Sequence, residues 1–123
     1  MTHTNDFEFN TLINQREFDN FKIQNSTILE LIPDHILSGL KSYIFDRLED
    51  KDGSPEITEL NATNINFDDE KDRGSFRLTF LVVRRFCCSD VHNCHQDYID
   101  VNFQLKNSQL IGSASYFDWT INN

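Results

Sequence analysis

Apolar residues recur every third or fourth position in the first half of this chain and every second position beyond it, with the switch near Glu56. Ile36, Leu37, Leu40, Tyr43, Ile44 and Leu48 make the clearest helical stripe, because side chains three and four apart share one face of a helix. Pro33 suits a first helical turn, and Asp34 complements the positive end of the helix dipole there. The spacing predicts a helix over about 33–50 that stops before the turn-forming Asp52-Gly53-Ser54-Pro55. Gly39 inside it costs about 1 kcal/mol relative to Ala, which predicts close packing at that point. Upstream the pattern is less regular. Phe7 and Phe9 alternate as in a strand, whereas Leu12, Ile13, Phe18 and Phe21 fit one side of a helix, and a helix or helical turn is expected over about 9–20. Residues 27–32 fit either a lead-in strand or a helical turn.

Four strands are expected downstream. Residues 57–67 are polar and Asn-rich, and their apolar register slips from Leu60/Ala62 to Ile65/Phe67, the mark of a bulged or edge strand. In 75–86, Phe76, Leu78, Phe80 and Val82 take one face and Arg77, Thr79, Leu81, Val83 and Arg85 the other. The second face is half apolar, as in a central strand. Residues 97–106 alternate cleanly, with Ile99, Val101, Phe103 and Leu105 inward. Residues 109–121 close the series, with Ile111, Phe117, Trp119 and Ile121 on one face and Leu110, Ala114 and Tyr116 on the other. Short connections imply an antiparallel meander. The expected fold class is α+β: an N-terminal helical region and one amphipathic helix packed on a four-stranded antiparallel meander. Its core is expected to rest on Leu37, Leu40, Ile44, Phe80, Val82, Val101, Phe103, Phe117 and Trp119. The element order is similar to that of cystatin-like and NTF2-like folds, which does not decide function.

Length and composition narrow this picture to a single α+β domain over 1–123. Hydrophobic residues make up 38% of the 123, eleven of them Phe, enough for one core without disulfides. No stretch approaches the roughly 20 apolar residues of a membrane span, and the opening MTHTNDFEF has neither a basic region nor an apolar run. A cytoplasmic location is expected, and an odd count of three cysteines fits it.

Charge changes the picture more. Twenty acids against eleven bases leave −9, so phosphate backbones and anionic membranes repel the chain and basic partners attract it. Direct nucleic-acid and membrane binding are therefore disfavoured. Residues 46–72 concentrate ten acids (Asp46, Glu49, Asp50, Asp52, Glu56, Glu59, Asp68, Asp69, Glu70 and Asp72) against three bases. Residues 73–86 then carry four arginines and no acid.

Cys87, Cys88, His92, Cys94 and His95 place five soft or borderline metal ligands within nine residues, on the expected loop between the second and third strands. Zinc favours such sets, but there is no C-x-x-C pair, and adjacent Cys87 and Cys88 project to opposite sides of a strand. A Cys88–Cys94 disulfide across the hairpin is an alternative, and an ordinary loop with Cys87 as a small hydrophobe is the preferred one. No metal and no other cofactor is expected. Catalysis has little to build on: there is no G-x-S-x-G elbow, phosphate-cradling glycine loop, H-E-x-x-H or paired-carboxylate signature. Asp100 or His35 as a general base in an NTF2-like pocket is the enzymatic alternative, and a metal-binding or redox-sensing Cys87–His95 module is the other.

In size, acidity, single-domain build and lack of catalytic motif, the chain resembles immunity proteins of bacterial toxin systems, including those paired with contact-dependent-inhibition nuclease toxins. The resemblance implies a cytoplasmic inhibitor that occludes the active site of a basic, nuclease-type toxin and is not an enzyme. A nuclease must be basic to hold its substrate, so an acidic plug can cover or imitate that site. The residues expected to meet the partner are the ten acids of 46–72 together with Asp97 and Asp100. The same logic suits a nucleic-acid mimic aimed at another basic protein.

Overall fold

The computed structural model describes residues 6–85 and 92–116. Strand β1 (Phe7–Leu12) is followed by helix α1 (Gln15–Ile23), a 3₁₀ helix (Asn25–Leu31) and helix α2 (Asp34–Arg47). Strands β2 (Glu56–Asp68), β3 (Arg73–Arg85), β4 (His92–Lys106) and β5 (Gln109–Ser115) complete the order. The fold is α+β. All strand pairs are antiparallel, and the five strands lie in the order β1-β5-β4-β3-β2. β1 and β2 are thus opposite edges, and the chain between them must cross the whole sheet, roughly 19 Å at the usual strand spacing. That crossing lays all three helical segments on one face, and no described element covers the other, here called the bare face. No helix among the described residues is long and apolar enough to cross a membrane.

The sheet has five strands rather than four because residues 7–12 are extended, not helical. Phe7 and Phe9 face the helices while Glu8 and Asn10 face out, and Phe7 meets Tyr43 of α2 at 5.6 Å. The helix starts later, at a capping box. The Asn14 side chain accepts from the Glu17 amide at 2.8 Å, and the Glu17 carboxylate accepts from the Asn14 amide at 2.9 Å. α2 ends at Arg47, short of the expected 50, where the Lys51 ammonium donates to the Leu48 carbonyl at 2.8 Å. Gly39 does lie close to a neighbour: a Cβ there would touch the Phe7 ring at 3.5 Å.

β2 is an edge strand with register breaks after Thr58 and Thr63, at Glu59 (φ 54°) and Asn64 (φ 51°). β3 is central and pairs with both β2 and β4. β4 begins at His92 rather than 97, so Cys94 and His95 stand in a strand, not in a loop. In β5 the inward face is the opposite of the one expected to carry the core. Leu110, Ala114 and Tyr116 are buried, because Leu105 pairs with Leu110 and Val101 with Ala114. Phe117, Trp119 and Ile121 lie outside the described residues.

The core runs the length of the covered face, from Leu105 and Phe103 at one end to Val82 and Leu48 at the other. Leu40, Ile44, Phe80, Val82, Val101 and Phe103 are buried as expected, and Leu37 is half-buried against them. Phe67 and Phe103 stack at 6.1 Å across Gly74, with Phe21 edge-on to both. A Cβ on Gly74 would collide with the Phe103 ring and the Asn66 carbonyl, so the stacked pair requires glycine there. Arg84, only 7% exposed, is the charged exception. Its guanidinium donates to the Asp50 and Asp52 carbonyls at 2.7 and 2.9 Å and closes the α2–β2 connection onto the sheet.

Candidate acidic interface

The acids of 46–72 fall into two groups at opposite ends of β2. Asp46 lies in the last turn of α2, Glu49, Asp50 and Asp52 in the connection, and Glu56 at the strand start opposite Val83. Asp68, Asp69, Glu70 and Asp72 occupy the β2–β3 hairpin, where Asp68 pairs with Arg73. A 13-residue strand separates them, roughly 40 Å at 3.3 Å per residue. Glu59 stands alone at the first bulge. The sequence cluster is therefore not one patch in space.

Many of these carboxylates already serve the fold. Asp50 accepts from the Asp52 amide at 2.9 Å, and Glu56 pairs with Arg85 at 3.2 Å. Asp68 accepts from the Glu70 and Lys71 amides at 3.0 and 3.3 Å, which shapes the hairpin. Asp69 holds Lys22 of α1 at 2.9 Å, and this hydrogen bond raises the Lys22 pKa above its ordinary 10.5. Half-buried Asp72 turns the chain at φ 51°, and its carbonyl accepts from the Leu105 amide at 2.8 Å. The exposed carboxylates of Asp46, Asp52, Glu59 and Glu70 hold no hydrogen bond or ion pair among the described residues.

Asp97 and Asp100 also separate. Asp100 is on the bare face, where it accepts from Arg77 Nε and Nη2 at 2.9 and 3.3 Å, an interaction that raises the Arg77 pKa. The same guanidinium lies 3.8 Å from the centre of the Tyr98 ring. Asp97 is on the covered face, half-buried, and accepts from the Tyr116 hydroxyl at 2.6 Å and the Tyr98 amide at 2.8 Å. It fastens the end of β5 to β4 and is turned away from the bare face that carries Asp100.

Of the five Cys/His residues, Cys87 and Cys88 lie outside the described residues, as does the conformation of the His92 side chain. Cys94 pairs with Val83 and His95 with Val82, so the two project to opposite faces of β4 and cannot hold one ion between them. The Nε2 atom of His95 is buried without a hydrogen-bond partner among the described residues. His35 is exposed on α2, far in sequence and on another layer from Asp100 of the bare face.

Among the described residues, a hollow lies on each face of the sheet. Between helices and sheet, the space bounded by Phe9, Leu29, Ile36, Leu40, Leu78 and Val101 has a volume of only about 10 Å³. The bare face carries a broad concavity of about 790 Å³, floored by Asn102, Gln104, Ile111 and Ser113 with Glu8 and Arg73 at its sides. Sequence reasoning missed two exposed aliphatic residues, Ile23 (85% exposed) and Leu12 (74%). Ile23 is out of phase with Phe18 and Phe21 on a 3.6-residue period, which is the signal that marks it.

No protein-family model matches the chain, and no curated protein or solved structure does either.

Proposed function

We propose that this protein binds a basic protein stoichiometrically and inhibits it by occlusion, as an immunity protein in the bacterial cytoplasm neutralises a nuclease-type toxin. The observation that carries the reading is the distribution of negative charge along the β2 edge. Exposed acids stand near both ends of the strand, and the carboxylates of Asp46, Asp52 and Glu70 there, with Glu59 at the first bulge, hold no hydrogen bond or ion pair among the described residues. A partner that meets both ends has to present a cationic surface roughly 40 Å across, which favours a folded protein over a peptide or a small cation. Complementary charge of this kind speeds encounter and selects the partner more than it adds affinity. The likeness of the element order expected from the sequence to cystatin-like and NTF2-like domains is not itself an argument for the function.

The test uses the basic product of a neighbouring toxin reading frame as the probe. Its association rate with the full chain is expected to fall steeply between low and physiological salt, with a smaller change in dissociation. Single exposed charges contribute under about 1 kcal/mol each, so paired reversals are required. Asp46→Lys with Asp52→Lys, and Glu59→Lys with Glu70→Lys, are chosen because these carboxylates hold no hydrogen bond or ion pair among the described residues. Each pair is expected to weaken the complex at least tenfold at an unchanged thermal midpoint. Unchanged affinity in both pairs would overturn the proposal.

A further inference from the structure

We infer that the contact with a basic partner has an apolar anchor point outside the acidic segment, at Ile23 on the margin of the cleft between α1 and the 3₁₀ helix. The inference rests on the basic-partner reading above and adds the place and chemistry of the contact. The cleft has a volume of about 470 Å³, with Leu31 at its floor and Asn20 and Gln24 in its walls. Ile23 stands at its margin and is the most exposed large hydrophobic residue among those described. The charged residues lining it are both acidic, Glu17 and Glu30. Glu17 is held in place by the capping box, while the exposed Glu30 carboxylate has no hydrogen bond or ion pair among the described residues. Lys22, beside Ile23 in sequence, pairs with Asp69.

A solvent-facing isoleucine beside a cleft whose charged lining residues are both carboxylates fits a segment that carries one aliphatic or aromatic side chain between Lys or Arg residues. The apolar side chain would cover Ile23 at the cleft margin, and the flanking cations would meet Glu17 and Glu30. Interfaces concentrate their affinity in such desolvated centres, with polar contacts around them. The other exposed aliphatic, Leu12, has the opposite setting: it lies in line with Gln109 and Lys106 across β5 and β4, beside a base. It therefore serves as the control.

The experiment is an NMR titration of the isotope-labelled full chain with the pentapeptide Lys-Arg-Leu-Arg-Lys, with Lys-Arg-Ser-Arg-Lys as comparison. Saturable shifts are expected at the amides of Ile23, Gln24, Thr27 and Leu31, at least tenfold weaker with the Ser peptide. Tenfold corresponds to about 1.4 kcal/mol. Ile23→Ser and Glu30→Lys are each expected to weaken binding of the Leu peptide to the same degree, with Leu12→Ser unchanged. Shifts confined to residues 46–72, or equal for the two peptides, overturn the anchor while leaving the basic-partner reading in place. If neither peptide perturbs any amide at low salt, the anchor is overturned, and the basic-partner reading is decided by the charge reversals above.

Discussion

β4 presents two faces that differ in what a carboxylate does on each. Asp97 and Asp100 stand three positions apart and emerge on opposite sides of the sheet. On the covered side, Asp97 sits against Tyr116 in line with Ile99, Val101, Phe103 and Leu105, and its charge is committed to a phenol at 2.6 Å. On the bare side, Asp100 shares its row with Arg77 and solvent. A hydrogen bond to a partly buried charge contributes about 1.5–3 kcal/mol, whereas an exposed ion pair contributes little. Sequence treats the two acids alike; the side of the sheet separates a structural carboxylate from a surface one. The same contrast recurs in the acidic segment, where Asp68 shapes the hairpin and Asp69 holds Lys22, while the exposed carboxylates of Asp46 and Glu70 hold no hydrogen bond or ion pair among the described residues.

The largest break in this contrast comes from Phe103→Ala, which removes the ring stacked on Phe67 and edge-on to Phe21. It is expected to lower stability by about 3–5 kcal/mol in urea denaturation, while Asn102→Ala on the bare face changes it by less than about 0.5 kcal/mol. Next is Gly74→Ala, whose new methyl meets the Phe103 ring and the Asn66 carbonyl; overpacking of this kind costs about 1–3 kcal/mol. The sharper comparison is Tyr116→Phe against Asp100→Ala. Losing the phenol leaves a half-buried carboxylate without that donor and is expected to cost about 1–3 kcal/mol, whereas Asp100→Ala barely moves the urea midpoint. Equal effects would show that Asp97 is as solvated as Asp100. The smallest effect concerns Lys22. Its pKa is raised in the folded state by Asp69, so its stabilisation is complete below 10.5 and is lost as pH rises through the higher folded value. The stability gap between wild type and Lys22→Met is accordingly expected to close in alkaline titration and to stay constant on acidification to neutral pH.

The sequence by itself determined the fold class, because period is a local property. The stripe of Ile36, Leu40 and Ile44 and the alternation of Ile99, Val101 and Phe103 each identify an element without reference to any other. The bulged edge character of β2 was legible in the same way, from the slip between Ala62 and Ile65. β1 was not. Six residues carry too few repeats to separate a strand from a helix, and what makes them a strand is pairing with β5, a hundred residues away. The inward face of β5 was likewise decided by register against Leu105 and Val101, since both of its faces carry apolar side chains. For the candidate site, the sequence supplied the sign and amount of charge and placed ten acids in one segment. Only the tertiary structure decided that this segment, threaded along a 13-residue strand, parts its acids to two ends of the sheet, and that Asp97 faces inward. Charge belongs to residues and is additive along a chain; a surface belongs to distances, and an extended strand turns neighbours in sequence into opposite ends of a molecule.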